Sequence, residues 1–292
     1  GLEIEALMKD HEETLKHIAE YEDILENRAV MAKVIIKELQ SYKKQYAVPR
    51  KTVIDNLEEA VVEEKKIEEM DVVFLMDRFG YAKTVDVSVY ERNKEAADAE
   101  NRYILTCKNT DKICIFTNKG QMHLLKVLDL PYGKFRDKGI PIDNLSNYNS
   151  SEENFVYITN LGAILHSKVF FGTKMAMLKM VDGSEFDVAK RTTAATKLND
   201  EDELLIVHAV SEDETIVMQS EKDMFLRIEA STVPEKKKGA VGVRGMKLAA
   251  GDTLSNIYLL GNESEQTIEV KGKEVVLNRL RIGNRDTKGT KR

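Results

Sequence analysis

The sequence predicts a mainly β fold of repeated strand units, led by one long α-helix. Two observations predict it. Residues 2–46 contain no Gly or Pro and carry apolar residues at helical spacing. Beyond Asp71 the character changes to short β-rich runs bounded by turn residues, and these runs recur. A chain of 292 residues with 42% apolar content can bury a core in one or two domains.

The helical segment comes first. Ile4, Leu7, Met8, Leu15, Ile18, Tyr21, Ile24, Leu25, Met31, Val34, Ile35, Leu39 and Tyr42 fall on one broad stripe. About 45 residues in one helix would reach roughly 65–70 Å. A lone helix cannot stabilise such a stripe, so it needs a partner, in a dimeric coiled coil or as half of an antiparallel pair. Val48-Pro49 ends it, because proline disfavours helix in the residue before it. Residues 51–70 mix Glu and Lys with Val53, Ile54, Leu57, Val61, Val62 and Ile67, and read as a partly helical connector.

The strand runs Val72–Met76, Ile113–Thr117, Val169–Gly172, Thr215–Gln219 and Val275–Leu280 then open similar units. Val73-Phe74-Leu75-Met76 leads through Phe79-Gly80 to Tyr81-Ala82-Lys83. Ile115-Phe116-Thr117-Asn118-Lys119-Gly120 leads to His123-Leu124-Leu125. Phe170-Phe171-Gly172-Thr173-Lys174 leads to Met177-Leu178-Lys179, and Ile216-Val217-Met218-Gln219 to Met224-Phe225-Leu226-Arg227. A degenerate fifth copy runs from Lys273 to Leu277. Several units share a later half, a small or Gly-containing turn followed by a short strand: Gly139–Ile142, Ala194–Leu198 and Gly242–Leu248. Repeats of roughly 40 to 60 residues, each built of several strands, predict about five blades of mostly four strands around an axis.

Composition narrows the function. No apolar run approaches the roughly 20 residues that span a bilayer, and the first residues lack the basic start of a signal peptide. Cys107 and Cys114 lie in apolar strand-like segments and read as small buried residues of a reduced, cytoplasmic protein. His11, His17, His123, His166 and His208 are scattered without ligand spacing, so no metal site is expected. No set of nucleophile, base and orienting group stands out. Residues 1–70 hold 17 acids against 11 Lys/Arg, whereas residues 71–292 are balanced, so nucleic-acid binding requires positive charge gathered on one surface.

Specific stretches resemble the C-terminal part of the A subunits of bacterial type IIA topoisomerases, gyrase and topoisomerase IV. Tyr21–Leu25, Val34–Leu39, Tyr46 and Pro49–Thr52 resemble the returning helix of their long coiled coil. Phe116–Gly120, Gly139–Leu145, Asp182–Phe186 and Gly242–Leu248 resemble their β-pinwheel, a propeller variant whose blades exchange strands. The resemblance implies residues 1–50 as returning helix, 51–70 as linker and 71–292 as a DNA-binding β-pinwheel. It implies a parent enzyme that is an ATP-dependent DNA topoisomerase. That enzyme would work at the bacterial nucleoid, built from a pair of A subunits together with ATPase (B) subunits. Magnesium and ATP would be used elsewhere in that enzyme, leaving this part without a cofactor. Family members cleave DNA with a tyrosine next to an arginine in a winged-helix domain. Arg102-Tyr103 has that order but lies in a strand-like stretch, so no catalytic residue and no activity are expected of this part alone. Gyrases also carry a Gln-Arg-Arg-Gly-Gly-Lys-Gly box after the first hairpin. Tyr90–Asp98 stands in its place without Gly or clustered charge, which favours the topoisomerase IV side, with decatenation and relaxation.

The task implied is to hold a curved duplex by its phosphates, with little sequence preference. Candidate contacts are Lys83 and Arg92 in the first unit, and Lys119, Lys126, Lys134, Arg136 and Lys138 in the second. The third offers Lys174, Lys179, Lys190 and Arg191, and the fourth Lys222, Arg227, Lys236, Lys237, Lys238, Arg244 and Lys247. Arg279, Arg281, Arg285 and Lys288 follow in a basic tail. The clusters at 236–247 and 279–292 stand out because opposite charges are sparse nearby in the sequence. Two other readings stay open: a propeller-type protein-interaction scaffold on a coiled-coil stalk, or a divergent gyrase A domain. The strand region's zero net charge speaks for the scaffold.

Overall fold

The computed structural model describes residues 1–52 and 66–292, which divide into compact units of 1–65 and 66–292. In the first unit the expected single helix is two, α1 (Leu2–Glu26) and α2 (Arg28–Tyr46). Asn27 between them is extended, with φ −111° and ψ 104°, and its side chain accepts from the Ala29 amide at 3.1 Å. Asparagine offers the backbone this local alternative to the helix, a signal that periodicity alone passes over. The apolar stripe is present but largely bare, from Leu7 at 70% exposure to Leu39 at 61%. Most of the connector, residues 53–65, lies outside the described residues.

The second unit opens with a hairpin, β1 (Asp71–Met76) and β2 (Tyr81–Asp86). Two short helices follow, α3 (Val87–Arg92) and α4 (Lys94–Glu100), and β3 (Tyr103–Lys108) then pairs with β1. A second hairpin forms from β4 (Lys112–Thr117) and β5 (Gln121–Lys126). Now the chain goes back: β6 (Tyr132–Gly133) and β7 (Ile140–Pro141) add to the edge of β2, before β8 (Phe155–Asn160) joins β4.

The cycle repeats. After the hairpin of β9 (Lys168–Thr173) and β10 (Met177–Asp182), β11 (Thr192–Ala194) returns to β5 and β12 (Leu204–Val210) joins β9. After β13 (Thr215–Ser220) and β14 (Met224–Glu229), β15 (Val243–Arg244) returns to β10 and β16 (Leu254–Leu260) joins β13. A last hairpin of β17 (Thr267–Val270) and β18 (Lys273–Val276) precedes β19 (Thr290–Lys291), which returns to β14. Each of the first four blades is therefore completed by a segment that lies beyond the next blade's hairpin, the strand exchange of a pinwheel.

The fifth unit differs from expectation. It is a hairpin alone, its first strand is Thr267–Val270, and Leu277–Arg279 forms a 3-10 turn where the sequence suggested strand. Its first strand carries no clear sequence signal, because Glu269 interrupts the apolar run.

Side-chain parity explains why the strand runs look uniformly apolar. Val72, Phe74 and Met76 of β1 share a core with Ile113 and Ile115 of β4. Cys114 and Phe116 face the other way, onto Val169 and Phe171 of β9. Phe170 meets Ile216 and Met218, and Val217 meets Val270 and Leu277. Hairpins buried on both faces need no polar alternation. The remaining face of blade 1, Val73 and Leu75, is covered by α3 and α4 through Val87, Val89, Tyr90 and Ala97.

Candidate nucleic-acid interface

Strands β3, β8, β12 and β16 are successive spatial neighbours from blade to blade. The returning segments occupy the opposite edge of their sheets, so they form the rim. The rim is where the sequence-predicted cations gather. Blade 1 receives Lys134, Arg136 and Lys138 between β6 and β7, all exposed. Blade 2 receives exposed Lys190 and Arg191 just before β11, blade 3 receives Lys236–Lys238 and Arg244, and blade 4 receives Arg281, Arg285 and Lys288 just before β19.

Several recesses open on this rim, and two of them lie among its cations. One of about 350 Å³ is lined by Lys112, Lys126, Lys190 and Arg191 over Leu124, Leu125 and Val188. The other, of about 300 Å³, is lined by Arg281, Lys288 and Arg292 beside Gly283 and Gly289. Lys112 is not among the cations that the sequence singles out. It begins a hairpin strand and meets the 188–191 segment only through folding, so no local signal marks it.

Other predicted contacts go elsewhere. Lys179 has no exposed surface and donates to the Lys238 and Ala240 carbonyls at 3.0 and 2.8 Å, so it cannot reach a phosphate. Burial pulls its ammonium down to about 8, against a smaller upward pull from Glu185. Arg227 is half-buried and donates to Thr215 Oγ1 at 3.1 Å and to the Leu280 carbonyl at 3.1 Å, which makes it a brace between blades 4 and 5. Lys83 is half-buried on the Phe135 and Asp137 carbonyls. A charge pattern cannot show these attachments, because the acceptors include backbone oxygens about 50 residues away.

Acids supplied by folding also correct the impression of unopposed basic clusters. Glu185 approaches Lys237 at 3.9 Å and accepts from the Lys238 amide at 3.2 Å. Asp286 lies 3.6 Å from Arg244, and Glu265 lies 3.4 Å from Arg279. Lys119 and Lys174 both bind Glu203, at 3.2 and 2.8 Å. Hydrogen bonds from Lys174 and then Lys119 hold that carboxyl below its usual range. Lys222 donates to the Ala250 carbonyl at 3.3 Å, away from the returning segments. Exposed Lys247 follows β15, and exposed Arg92 sits on α3, with its Nε donating to the Ser88 carbonyl at 3.2 Å.

Tyr90–Asp98 folds into α3 and α4, with the Tyr90 hydroxyl donating to Asp98 at 2.8 Å. Tyr103 starts β3 and packs edge-on against Phe155 at 6.3 Å, as a strand residue would. No group of three or more His, Cys, Asp or Glu among the described residues is arranged to hold a metal ion, and no helix among them is long and apolar enough to cross a membrane.

Comparisons with known proteins agree with this architecture. The family model of the DNA gyrase C-terminal domain, a β-propeller, matches residues 167–211 and 214–260. Those spans are β9–β12 and β13–β16, each one repeat of hairpin, returning strand and joining strand. The chain is 29% identical over 309 aligned residues to the DNA gyrase A protein of Lawsonia intracellularis, covering 99% of this chain and 37% of that protein. It is 28% identical to the DNA gyrase A protein of Staphylococcus epidermidis, covering all of this chain and 35% of that protein. The chain thus spans little more than a third of these relatives. In fold, it matches the C-terminal domain of DNA topoisomerase IV with a TM-score of 0.68 at 21% identity, over 77% of this chain and 73% of that one. The E. coli ParC C-terminal domain gives 0.63 at 13% identity, over 76% and 94%. Repeat by repeat and along its length, the chain is similar to the C-terminal part of DNA gyrase A proteins, and its fold is that of the C-terminal β-propeller domains of DNA gyrase and topoisomerase IV.

Proposed function

We propose that this rim binds and bends duplex DNA, presenting it for strand passage by an ATP-dependent type II topoisomerase. The observation that carries the reading is that all four returning segments bring exposed cations to one edge of the sheets. A curved row of cations suits a bent duplex read through its phosphates, because counterion release is indifferent to sequence. Bending a 20–30 base-pair site costs of order 1–6 kcal/mol, so contacts must come from several blades together.

In this reading residues 71–292 are the DNA-binding module, 1–50 a helical leg and 51–70 the connection. The partners are the ATPase (B) subunits and another copy of the A protein, in the cytoplasm at the nucleoid. Magnesium and ATP act elsewhere in the enzyme, and this chain does not cut DNA by itself. The absence of a Gly-rich basic loop at 90–98 supports a topoisomerase IV-like role in decatenation and relaxation. The gyrase A relatives favour a second reading, a divergent gyrase domain. Both are tested by binding the full chain to two unrelated linear duplexes across a salt series. Equal affinities with a steep linear fall of log K in log salt support the rim; no binding at low salt rejects it. Ligation of nicked circles in its presence then separates the two, since gyrase-like wrapping shifts the linking number and simple bending leaves it near zero.

A further inference from the structure

Two of the returning segments, those carrying Lys134–Lys138 and Lys236–Arg244, share a device beneath them. Lys179 on β10 is fully buried, with its Nζ 2.8 Å from the Ala240 carbonyl, 3.0 Å from that of Lys238 and 3.2 Å from that of Lys237. The Phe171 ring closes the pocket, its centroid 5.2 Å from the ammonium. Lys83 holds the same place on β2. Its ammonium donates to the Asp137 carbonyl at 2.9 Å and to that of Phe135, over the Phe135 ring at 4.9 Å. The equivalence is one of register: each lysine lies three residues before an aspartate, Asp86 or Asp182, whose carboxylate accepts from Ser88 or Ser184 two residues on.

An ammonium has three donors, and the 237–240 backbone brings three carbonyls to it. Two of those carbonyls belong to Lys237 and Lys238 themselves. With its carbonyls drawn inward, this segment keeps Lys236 and Lys237 exposed at the surface. Without the ammonium, three carbonyls would face an apolar pocket with their hydrogen bonds unmade, and the segment would swing toward water.

We propose that Lys179 is a positioning residue for duplex binding: it touches no DNA, but gathers the 237–240 carbonyls and thereby fixes where Lys236 and Lys237 present their charge. Lys83 does the same for Lys134, Arg136 and Lys138. The inference rests on the rim being the duplex-binding surface.

The test uses the full chain and two readouts. Amide hydrogen exchange without DNA reports the loop, and the slope of log K against log salt for a linear duplex reports phosphate contacts. In Lys179→Met, exchange at 237–242 should rise roughly tenfold or more while β13 and β14 stay protected. The salt slope should become shallower by about 1.8, the loss of two contacts, where removal of a single contact gives about 0.9. Adding Lys179→Met to a Lys236→Ala/Lys237→Ala double variant should change the slope no further. A slope change of 0.9 or less, wild-type exchange at 237–242, or additivity with the double variant would each overturn the positioning role. Should Lys179→Met fail to fold, Lys83→Met puts the same question to residues 134–138. Failure of the wild-type chain to bind duplex overturns the rim itself, and the exchange result still shows whether Lys179 holds its loop.

Discussion

His123 Nε2 lies 2.9 Å from Glu153 Oε2, in a bond that is almost wholly buried. His123 stands on β5, three residues before the strand's end, where Lys83 and Lys179 stand on β2 and β10 and Leu226 on β14. Its Nδ1 meets Thr192 Oγ1 of the returning β11 at 2.9 Å, while Glu153 also accepts from Thr117 Oγ1 and the Asn149 amide, both at 3.1 Å. One carboxylate thus ties the second hairpin, the returning strand and the approach to β8.

Removing that carboxylate leaves buried donors without acceptors. Glu153→Ala should lower unfolding stability by roughly 2–4 kcal/mol, read from urea midpoints at constant slope. Because blade 4 carries a leucine at the histidine's position, the paired change His123→Leu/Glu153→Leu should lose less than Glu153→Ala alone. A double variant as unstable as the sum of its singles would contradict this account of the pair.

The rim and the hairpin turns should respond differently to charge removal. Lys134, Arg136 and Lys138 are exposed, so changing all three to alanine should make the salt slope of duplex binding shallower by about 2.7. Lys119 and Lys174 are held by Glu203, and their double alanine variant should leave the slope near the wild-type value.

Glu203 also sets a pH dependence. Its carboxyl is lowered from an ordinary 4.5 in the fold, so the stability it contributes is fully present above that value and is lost as pH falls below it. Glu203→Gln has no such titration. The advantage of the wild type over this variant should therefore shrink on acidification from pH 5 to 3, measured by thermal unfolding. An advantage that stays constant or grows would show that the two lysine bonds do not form in solution.

The blades were legible in the sequence because hairpins buried on both faces write continuous apolar runs, as in Val72–Met76. The short strands Ile140–Pro141 and Val243–Arg244 were visible as Gly-led segments, but their pairing with the preceding blade is a tertiary fact that no local pattern carries. The site divides along the same line. Lys134, Arg136 and Lys138 were legible because their surroundings in space are their surroundings in sequence. Lys179 and Arg227 look like any other cation until the distant carbonyls that receive them are known. Asn27 shows the reverse case, a local cap that long-range periodicity outweighed in the sequence and that prevailed in the fold.

Gly242 tests the close approach of a returning segment to its host strand. Its φ is +105°, and a Cβ there would lie 2.4 Å from the Leu178 carbonyl oxygen. Gly242→Ala should strain the backbone and push β15 off β10, costing roughly 1–3 kcal/mol of stability. Faster amide exchange should be confined to the region around residues 240–246. Unchanged stability with unchanged exchange would mean that the segment does not press on β10 as described.

The two cysteines report opening of the blade stack. Cys107 sits in the core between blades 1 and 2, and Cys114 in the core between blades 2 and 3. Burial pushes both thiols up from 9.0 to about 12, with Asp111 adding to the effect. The thiolate is the reactive form, so at pH 8 both should resist an aromatic disulfide reagent for as long as the blades stay packed. Each should then react at a rate set by opening rather than by reagent concentration. The sign of the linked stability change follows, because the unfolded chain releases these protons near pH 9 and the folded one only near 12. Stability should thus fall as pH rises from 9 toward 12, and fall less in a Cys107→Ala/Cys114→Ala variant. Rapid, concentration-dependent labelling of the native protein at pH 8 would mean that these inter-blade cores are open to solvent.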